Sequence, residues 1–161
     1  MITVNRELEI EAPAEKLWEI LADFGNSQAW APNVNQSALT KGDPGVGCER
    51  ECAVSGFGDV TEKIVAWEEG EGLSIRIEDV TMMQSMQSNW SLTRLGADRT
   101  RVSVAIEAHP KFGPMGALMG ALMMKPKIGK TMEATLQGLR YYALTGESVG
   151  AKVPELAVAT A

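Results

Sequence analysis

Few side chains in this 161-residue chain stand where chemistry is possible. Glu62 is the first. It lies in Val60-Thr61-Glu62-Lys63-Ile64, a run that alternates with the period of a strand. If Val60 and Ile64 face inward, Glu62 faces inward with them. A carboxylate in an apolar interior is either raised in pKa or paired, and both states suit acid/base work or the polar anchoring of a ligand. Two rival readings pair it with a neighbouring strand residue such as Arg50, or twist it out to solvent. Arg50 is itself a candidate cation for a ligand carboxylate or phenolate. It alternates with Cys48 and Cys52, while Glu49 and Glu51 point the other way. Which set faces inward stays open.

Aromatic side chains form a second group. Trp90 alternates with Ser88 and Leu92, so the three share one strand face, either as pocket lining or as core. Trp30, two residues before Pro32, is either a helix-to-sheet anchor or part of a pocket rim. Phe57 stands between Gly56 and Gly58, whose freedom of dihedral permits an unusual loop. His109, the one histidine, ends a strand beside Pro110 with no acid or nucleophile next to it, which predicts an exposed or capping role rather than catalysis. Cys48 and Cys52 lie four apart on a predicted strand, about 13 Å along it, beyond disulfide reach. They are expected as free thiols of a reducing compartment. The chain has no nucleophile elbow, no phosphate-cradling glycine loop and no His/Cys cluster at metal spacing. No metal site and no cofactor is predicted.

The elements that hold these residues follow from periodicity. Residues 2–10 alternate as a strand, with Arg6 interrupting the apolar face. Ala12-Pro13 opens a helix that carries Leu17, Trp18, Leu21 and Phe24 at helical spacing and stops at Gly25, with Pro13 at its first position. A second short helix is predicted over 26–31, capped by Asn26 and ended by Pro32. Strand-like runs over 33–40, 47–54, 59–68, 73–80, 82–95 and 99–108 are separated by Gly, Asp and Pro turns, which predicts an antiparallel meander with one covered face. One long helix is predicted over 113–146. Its first half groups Met115, Leu118, Met119 and Leu122; its second groups Ile128, Met132, Leu136, Leu139 and Ala143, about a quarter turn out of phase. Pro126 sits at the slip, so a kink or break is expected there. Gly116-x-x-x-Gly120 lets the helix approach the sheet or a partner. The remaining pocket wall is predicted from the inward strand faces, through Val60, Ile75 and Val104, and from the Met-rich half of the helix, through Met119 and Met123.

Composition narrows the partners. A net charge of −6 and a pI near 4.9 argue against nucleic acid and against anionic membrane surfaces. No run is long and apolar enough to span a bilayer, so no membrane insertion is expected. The strand-like start lacks the apolar core of a signal peptide, which predicts a cytoplasmic protein. Nine methionines against 6% aromatics read either as plain core filling or as a lining that adapts to varied ligands.

The stretch 10–34, IEAPAEKLWEILADFGNSQAWAPNV, closely resembles the N-terminal signature of the START-like (SRPBCC) superfamily, in its polyketide cyclase/dehydrase branch. Shared features are the Ala12-Pro13 helix opening, the Leu17-Trp18 pair, the Asp23-Phe24 end and the Trp30-x-Pro32 hook. Gly45-x-Gly47, Arg50 and the run VSGFGDVTEKI are similar to the plant abscisic-acid receptors of that superfamily, which carry a gate-like Ser-Gly loop before a strand with an acid and a base. The receptors' gate proline is absent here, so no hormone-receptor function is carried over. The resemblance spans 2–146. It implies an α+β helix-grip fold: a seven-stranded curved antiparallel sheet with two short helices and a long C-terminal helix enclosing a cavity. It is consistent with a single domain over 1–146; the tail over 147–161, which lacks both Gly/Ser linker character and a helical pattern, is expected to be loosely held. It further implies that Glu62 faces the pocket and joins a water network, that Phe57 rides a gating loop and that Trp30 lies near the mouth. The expected activity is binding of a small hydrophobic or aromatic molecule, lipid- or polyketide-like. The alternative is a cyclase/dehydrase-type enzyme in which Glu62 moves protons. A third reading is an interaction protein with a collapsed cavity. A monomer or homodimer is expected.

Overall fold

In a computed structural model, which describes residues 1–156, the alternating runs become one sheet and the helical stretches pack against it. The strands are β1 (Ile2–Ile10), β2 (Val34–Lys41), β3 (Glu49–Val54), β4 (Gly58–Glu68), β5 (Gly72–Glu78), β6 (Met83–Gly96) and β7 (Arg99–Pro110). Their order is β1-β7-β6-β5-β4-β3-β2, every neighbouring pair antiparallel. β2 to β7 form a meander of hairpins, and β1 adds to the far edge beside β7. Helix α1 (Ala14–Ala22) and a 3₁₀ segment (Phe24–Ala29) connect the two edges, and helices α2 (Gly113–Met119) and α3 (Lys125–Thr145) follow the last strand. This is the START-like helix-grip fold.

One face of the sheet is covered. On β7, Thr100, Val102, Val104, Ile106 and Ala108 are buried and alternate with exposed or half-buried partners. Arg6 does sit on the inward face of β1, as its place in the alternation requires. Its guanidinium pairs at 2.7 Å with Glu133 on α3. Gly129 leaves the room: a β-carbon there would lie 2.4 Å from Arg6 Nη2. At Gly138, a β-carbon would lie 2.0 Å from the Trp30 carbonyl oxygen, so α3 touches the chain after the 3₁₀ segment at van der Waals limit. Trp18 and Trp67 meet edge to face at 4.9 Å, and both donate to the Glu69 carboxylate, which fastens α1 to the β4–β5 turn.

Several expectations need correction. Pro13 is the N-cap of α1, extended at ψ 147°, not its first helical residue. The second short helix is 3₁₀ and begins two residues early, at Phe24, with Asn26 out of helical geometry at φ −107° rather than serving as a cap. The C-terminal helix does not break at Pro126 itself; its irregularity lies just before, over Gly120–Met124. α2 and α3 are joined by a π-helical turn (Gly120–Met124), and Met124 and Lys125 keep right-handed helical dihedrals. A π turn holds one residue more than an α turn, so it rotates the following face by about 100°. It also ends where Pro126 has no N–H to offer the preceding turn. The slip in periodicity is therefore absorbed in the five residues before the proline. The tail is not free throughout either: Val149 is buried and its amide donates to the Ala29 carbonyl at 2.8 Å. The rest of the tail beyond residue 156 lies outside the described residues.

Candidate functional site

The β3–β4 hairpin supplies the polar part of the site. Its loop, Ser55-Gly56-Phe57, sets Val54 opposite Gly58, and the register then sets Arg50 opposite Glu62. Arg50 faces inward with Cys48 and Cys52, which decides the question left by the alternating charges; it is 8% exposed. Its Nε and Nη2 both reach Glu62 Oε2 in a close ion pair. Its Nη1 donates to the Phe24 carbonyl at 2.6 Å, and the guanidinium lies 3.9 Å over the Phe24 ring. Arginine suits this position because its planar fork can meet a carboxylate, a carbonyl and a ring face together. Cys52 Sγ lies 3.7 Å from Glu62 Oε2 and 3.9 Å from Ser27 Oγ. Burial, then the Glu62 charge beside it, pushes the Cys52 thiol up to about 11. It is a neutral thiol at ordinary pH, and both cysteines are free.

Above this cluster a cavity of about 90 Å³ opens between the sheet and α3. Val60 and Glu62 of β4, Ile75 and Ile77 of β5, and Met86, Ser88 and Trp90 of β6 form its floor. Ile128, Thr131, Met132 and Thr135 of α3 form its roof, and Trp30, Ala31, Asn33 and Val34 close one side. Trp30 and Trp90 pack edge to face at 5.9 Å. The Trp30 indole N–H is buried and has no hydrogen-bond partner among the described residues. The Thr135 hydroxyl lies 2.8 Å from the Thr131 carbonyl and 3.1 Å from the Asn33 amide oxygen, so the roof's polar groups are mostly satisfied.

Phe57 also lines the cavity and is half-buried. Gly56 and Gly58 beside it adopt φ +82° and +87°, which a side chain would strain. The Lys127 ammonium sits 4.6 Å over the Phe57 ring and donates to the Gly56 carbonyl. The loop tip is thus fastened to α3 by one lysine.

The structure brings Trp30, Arg50, Phe57, Val60, Glu62, Ile75, Ser88 and Trp90 to this one cavity. Three residues expected in the pocket wall are elsewhere. Val104 is buried beside Trp90 but lies in the packed core, off the cavity wall. Met119 and Met123 are exposed at 52% and 67%, because the π turn and the close approach of Gly120 to Pro110 and Ile2 turn their face outward. Sequence reasoning missed the roof. Periodicity assigns Ile128 and Met132 to anchoring the helix, yet their spacing from Thr135 puts all three on one helical face. His109 is exposed, and among the described residues no acid, thiol or imidazole cluster could hold a metal.

The sequence matches the family described as "Polyketide cyclase / dehydrase and lipid transport" over residues 1–143. No curated protein sequence matches it. Among solved structures, the Zhui aromatase/cyclase from Streptomyces sp. R1128 is similar at TM-score 0.77 and 17% identity, over 91% of this chain and 98% of that one. A protein from Thermus thermophilus is similar at TM-score 0.75 and 18% identity, over 91% and 99%. A START superfamily protein from Mycobacterium smegmatis follows at TM-score 0.66 and 20% identity, over 91% and 96%. At such identities the structural likeness speaks for the fold, whereas the sequence match spans nearly the whole chain. With strand register, helix placement and the 1–143 match in agreement, the chain belongs to the polyketide cyclase/dehydrase and lipid transport family of START-like proteins.

Proposed function

We propose that the protein binds a small, hydrophobic, largely aromatic molecule in the cavity between the sheet and α3. The observation that carries this reading is a partly open, mostly apolar cavity with one buried ion pair in its wall. Three contacts converge on Glu62 Oε2, which leaves Oε1 as the acceptor for a ligand hydroxyl. The unpartnered Trp30 N–H is a donor for a ligand carbonyl or ether oxygen. A hydroxylated ring with an oxygen acceptor satisfies both. The cavity's volume of about 90 Å³ suits a single ring. Drug-sized sites run to ~300 Å³ and above, so a larger, polyketide-like ligand enters only as the Phe57 loop and the Met86 and Met132 side chains give way.

A second reading, cyclase/dehydrase-type chemistry with Glu62 as acid/base, is supported by the family match and by the likeness to an aromatase/cyclase. The pairing of Glu62 with Arg50 favours binding over proton transfer, because the charge a general base would use is already met by the guanidinium.

The experiment is native mass spectrometry of protein purified without denaturant, followed by titration of tryptophan fluorescence with single-ring phenol and hydroxyacetophenone probes. Probe binding that quenches the fluorescence and is abolished by Ser88→Leu, which fills the cavity, supports the reading. Absence of binding to the wild type, or binding unchanged in Ser88→Leu, refutes it. Turnover of a verified substrate that falls only in Glu62→Gln would favour the enzyme.

A further inference from the structure

Helix α2 and the π turn carry their apolar side chains the wrong way for a core. Met115, Leu118, Met119, Leu122 and Met123 recur at helical spacing and are all exposed, Met115 at 78%. The residues turned to the protein are small: Gly116, Ala117 and Gly120. A β-carbon at Gly116 would lie 1.9 Å from the Lys111 carbonyl, and one at Gly120 would lie 2.8 Å from Pro110. The helix is therefore held close to the end of β7 by its glycines, with a full apolar stripe left to solvent. Two neighbouring loops extend the stripe. Phe112 and Met82 are exposed at 72% and 50%, and both adopt left-handed backbone, at φ +76° and +68°. β-Carbon sterics disfavour that conformation for such residues. The Lys111 amide ties the two loops together by donating to the Met82 carbonyl at 2.9 Å. An exposed apolar face of this kind marks a binding surface.

Charge identifies what covers it. From residue 108 to residue 132 the chain has four lysines, Lys111, Lys125, Lys127 and Lys130, and no acidic residue, in a protein of net charge −6. All four are exposed and lie at the two ends of the stripe. Whole-chain composition argues against anionic surfaces, but along residues 108–132 the balance is locally positive, and the nearby acids, Glu78 and Asp79, lie on the Met82 side beside Lys111. A second copy of the chain fits less well, since a two-fold contact sets each lysine rim against its twin. An apolar stripe with a lysine rim matches the geometry of helices that lie in a bilayer interface.

We propose that this face docks on an anionic lipid surface. The Met and Leu side chains enter the boundary between headgroups and acyl chains, and Lys111, Lys125 and Lys130 meet the phosphates while Lys127 stays with the Phe57 loop. No helix among the described residues is long and apolar enough to cross a membrane, so the contact is with one leaflet.

The test is flotation of the full chain with phosphatidylcholine vesicles and with vesicles that also contain phosphatidylglycerol. Binding to the mixed vesicles that weakens with added salt is expected. Leu118→Glu with Leu122→Glu lowers the partition about a hundredfold or more, with circular dichroism and melting unchanged because both side chains are exposed. Lys125→Gln lowers it about fivefold at low salt. The proposal is overturned if the wild type does not float with the mixed vesicles, or if the double variant floats as well as the wild type. It is equally overturned if sedimentation shows self-association that the double variant disperses while vesicle binding is absent, which would make the face an interface between copies.

Discussion

Replacing Arg50 by methionine keeps the apolar stem of the side chain and removes its charged head, and the surroundings allow the loss to be worked out. Glu62, whose side chain is 13% exposed, is left without its cation, at about 3–5 kcal/mol for breaking one side of a buried pair. The Phe24 carbonyl loses its donor, about 1–2 kcal/mol. The contact over the Phe24 ring accounts for about 1 kcal/mol more. Burial of the methionine side chain returns about 2 kcal/mol. The net loss is about 4 kcal/mol, a large part of the ~5–15 kcal/mol by which such domains are stable. At ~2–4 °C per kcal/mol the melting temperature falls by about 8–16 °C. The double variant Arg50→Met/Glu62→Leu removes both charges at once, so nothing is stranded, and it is expected within about 1–2 kcal/mol of the wild type. Urea unfolding of the wild type, both single variants and the double measures the coupling directly. If Arg50→Met costs less than about 1 kcal/mol, or if the double variant is as unstable as the single, the pair is not the buried, interdependent unit described above. The same double variant separates fold from function. It is expected to remain folded yet to bind hydroxylated aromatic probes about ten- to a hundredfold more weakly, because the acceptor oxygen is gone.

Other outcomes follow from single features. Lys127→Ala frees the Phe57 loop from α3, and stopped-flow fluorescence should show probe association about tenfold faster, with little change in melting. Gly138→Ala drives a β-carbon into the Trp30 carbonyl and should destabilise by about 3 kcal/mol or more, whereas Gly129→Ala meets only the flexible end of Arg6 and should stay within about 1 kcal/mol of the wild type by urea unfolding. Cys52, pushed up to about 11, should resist iodoacetamide at pH 8 in the native protein and react only after unfolding. Because its folded pKa is raised above the ordinary 9.0, the stability tied to it is whole below pH 9 and is lost as pH rises towards 11. On the acid side, the indole N–H groups of Trp18 and then Trp67 hold the Glu69 carboxyl below its ordinary 4.5. Its contribution is present above that value and is lost as pH falls through the depressed one, so a change in tryptophan fluorescence in that range should vanish in Glu69→Gln.

How far the site could be read without coordinates depends on what each signal measures. Alternation puts Val60, Glu62 and Ile64 on one face because a strand leaves no other choice, and all three do face inward. It could not choose between Arg50 and Glu51, since both faces of β3 carry charge. Register resolves it: counting back from Val54 opposite Gly58 across the loop brings Arg50 opposite Glu62, whereas the strand bounds read from sequence, 47–54 and 59–68, would have set Arg50 opposite Lys63. The cavity's size was not legible, because how far Met86, Met132 and Phe57 fill it depends on packing between elements distant in sequence. The C-terminal helix shows the sharper limit. Periodicity reports how apolar faces stand relative to one another, and the quarter-turn slip before Pro126 is real and is taken up by the π turn. Periodicity does not say which face is covered. The assumption that large apolar residues lie inward puts Met119 and Met123 in the pocket wall. Gly116 and Gly120 carry the contrary signal: at that spacing they mark the side where the helix backbone lies against Lys111, Pro110 and Ile2, and so turn the methionines away from the protein. A helix whose small residues face the core and whose large apolar ones face outward is organised for a second contact, and that inversion is the physical ground for expecting the Leu118/Leu122 variant to change association while leaving the fold intact.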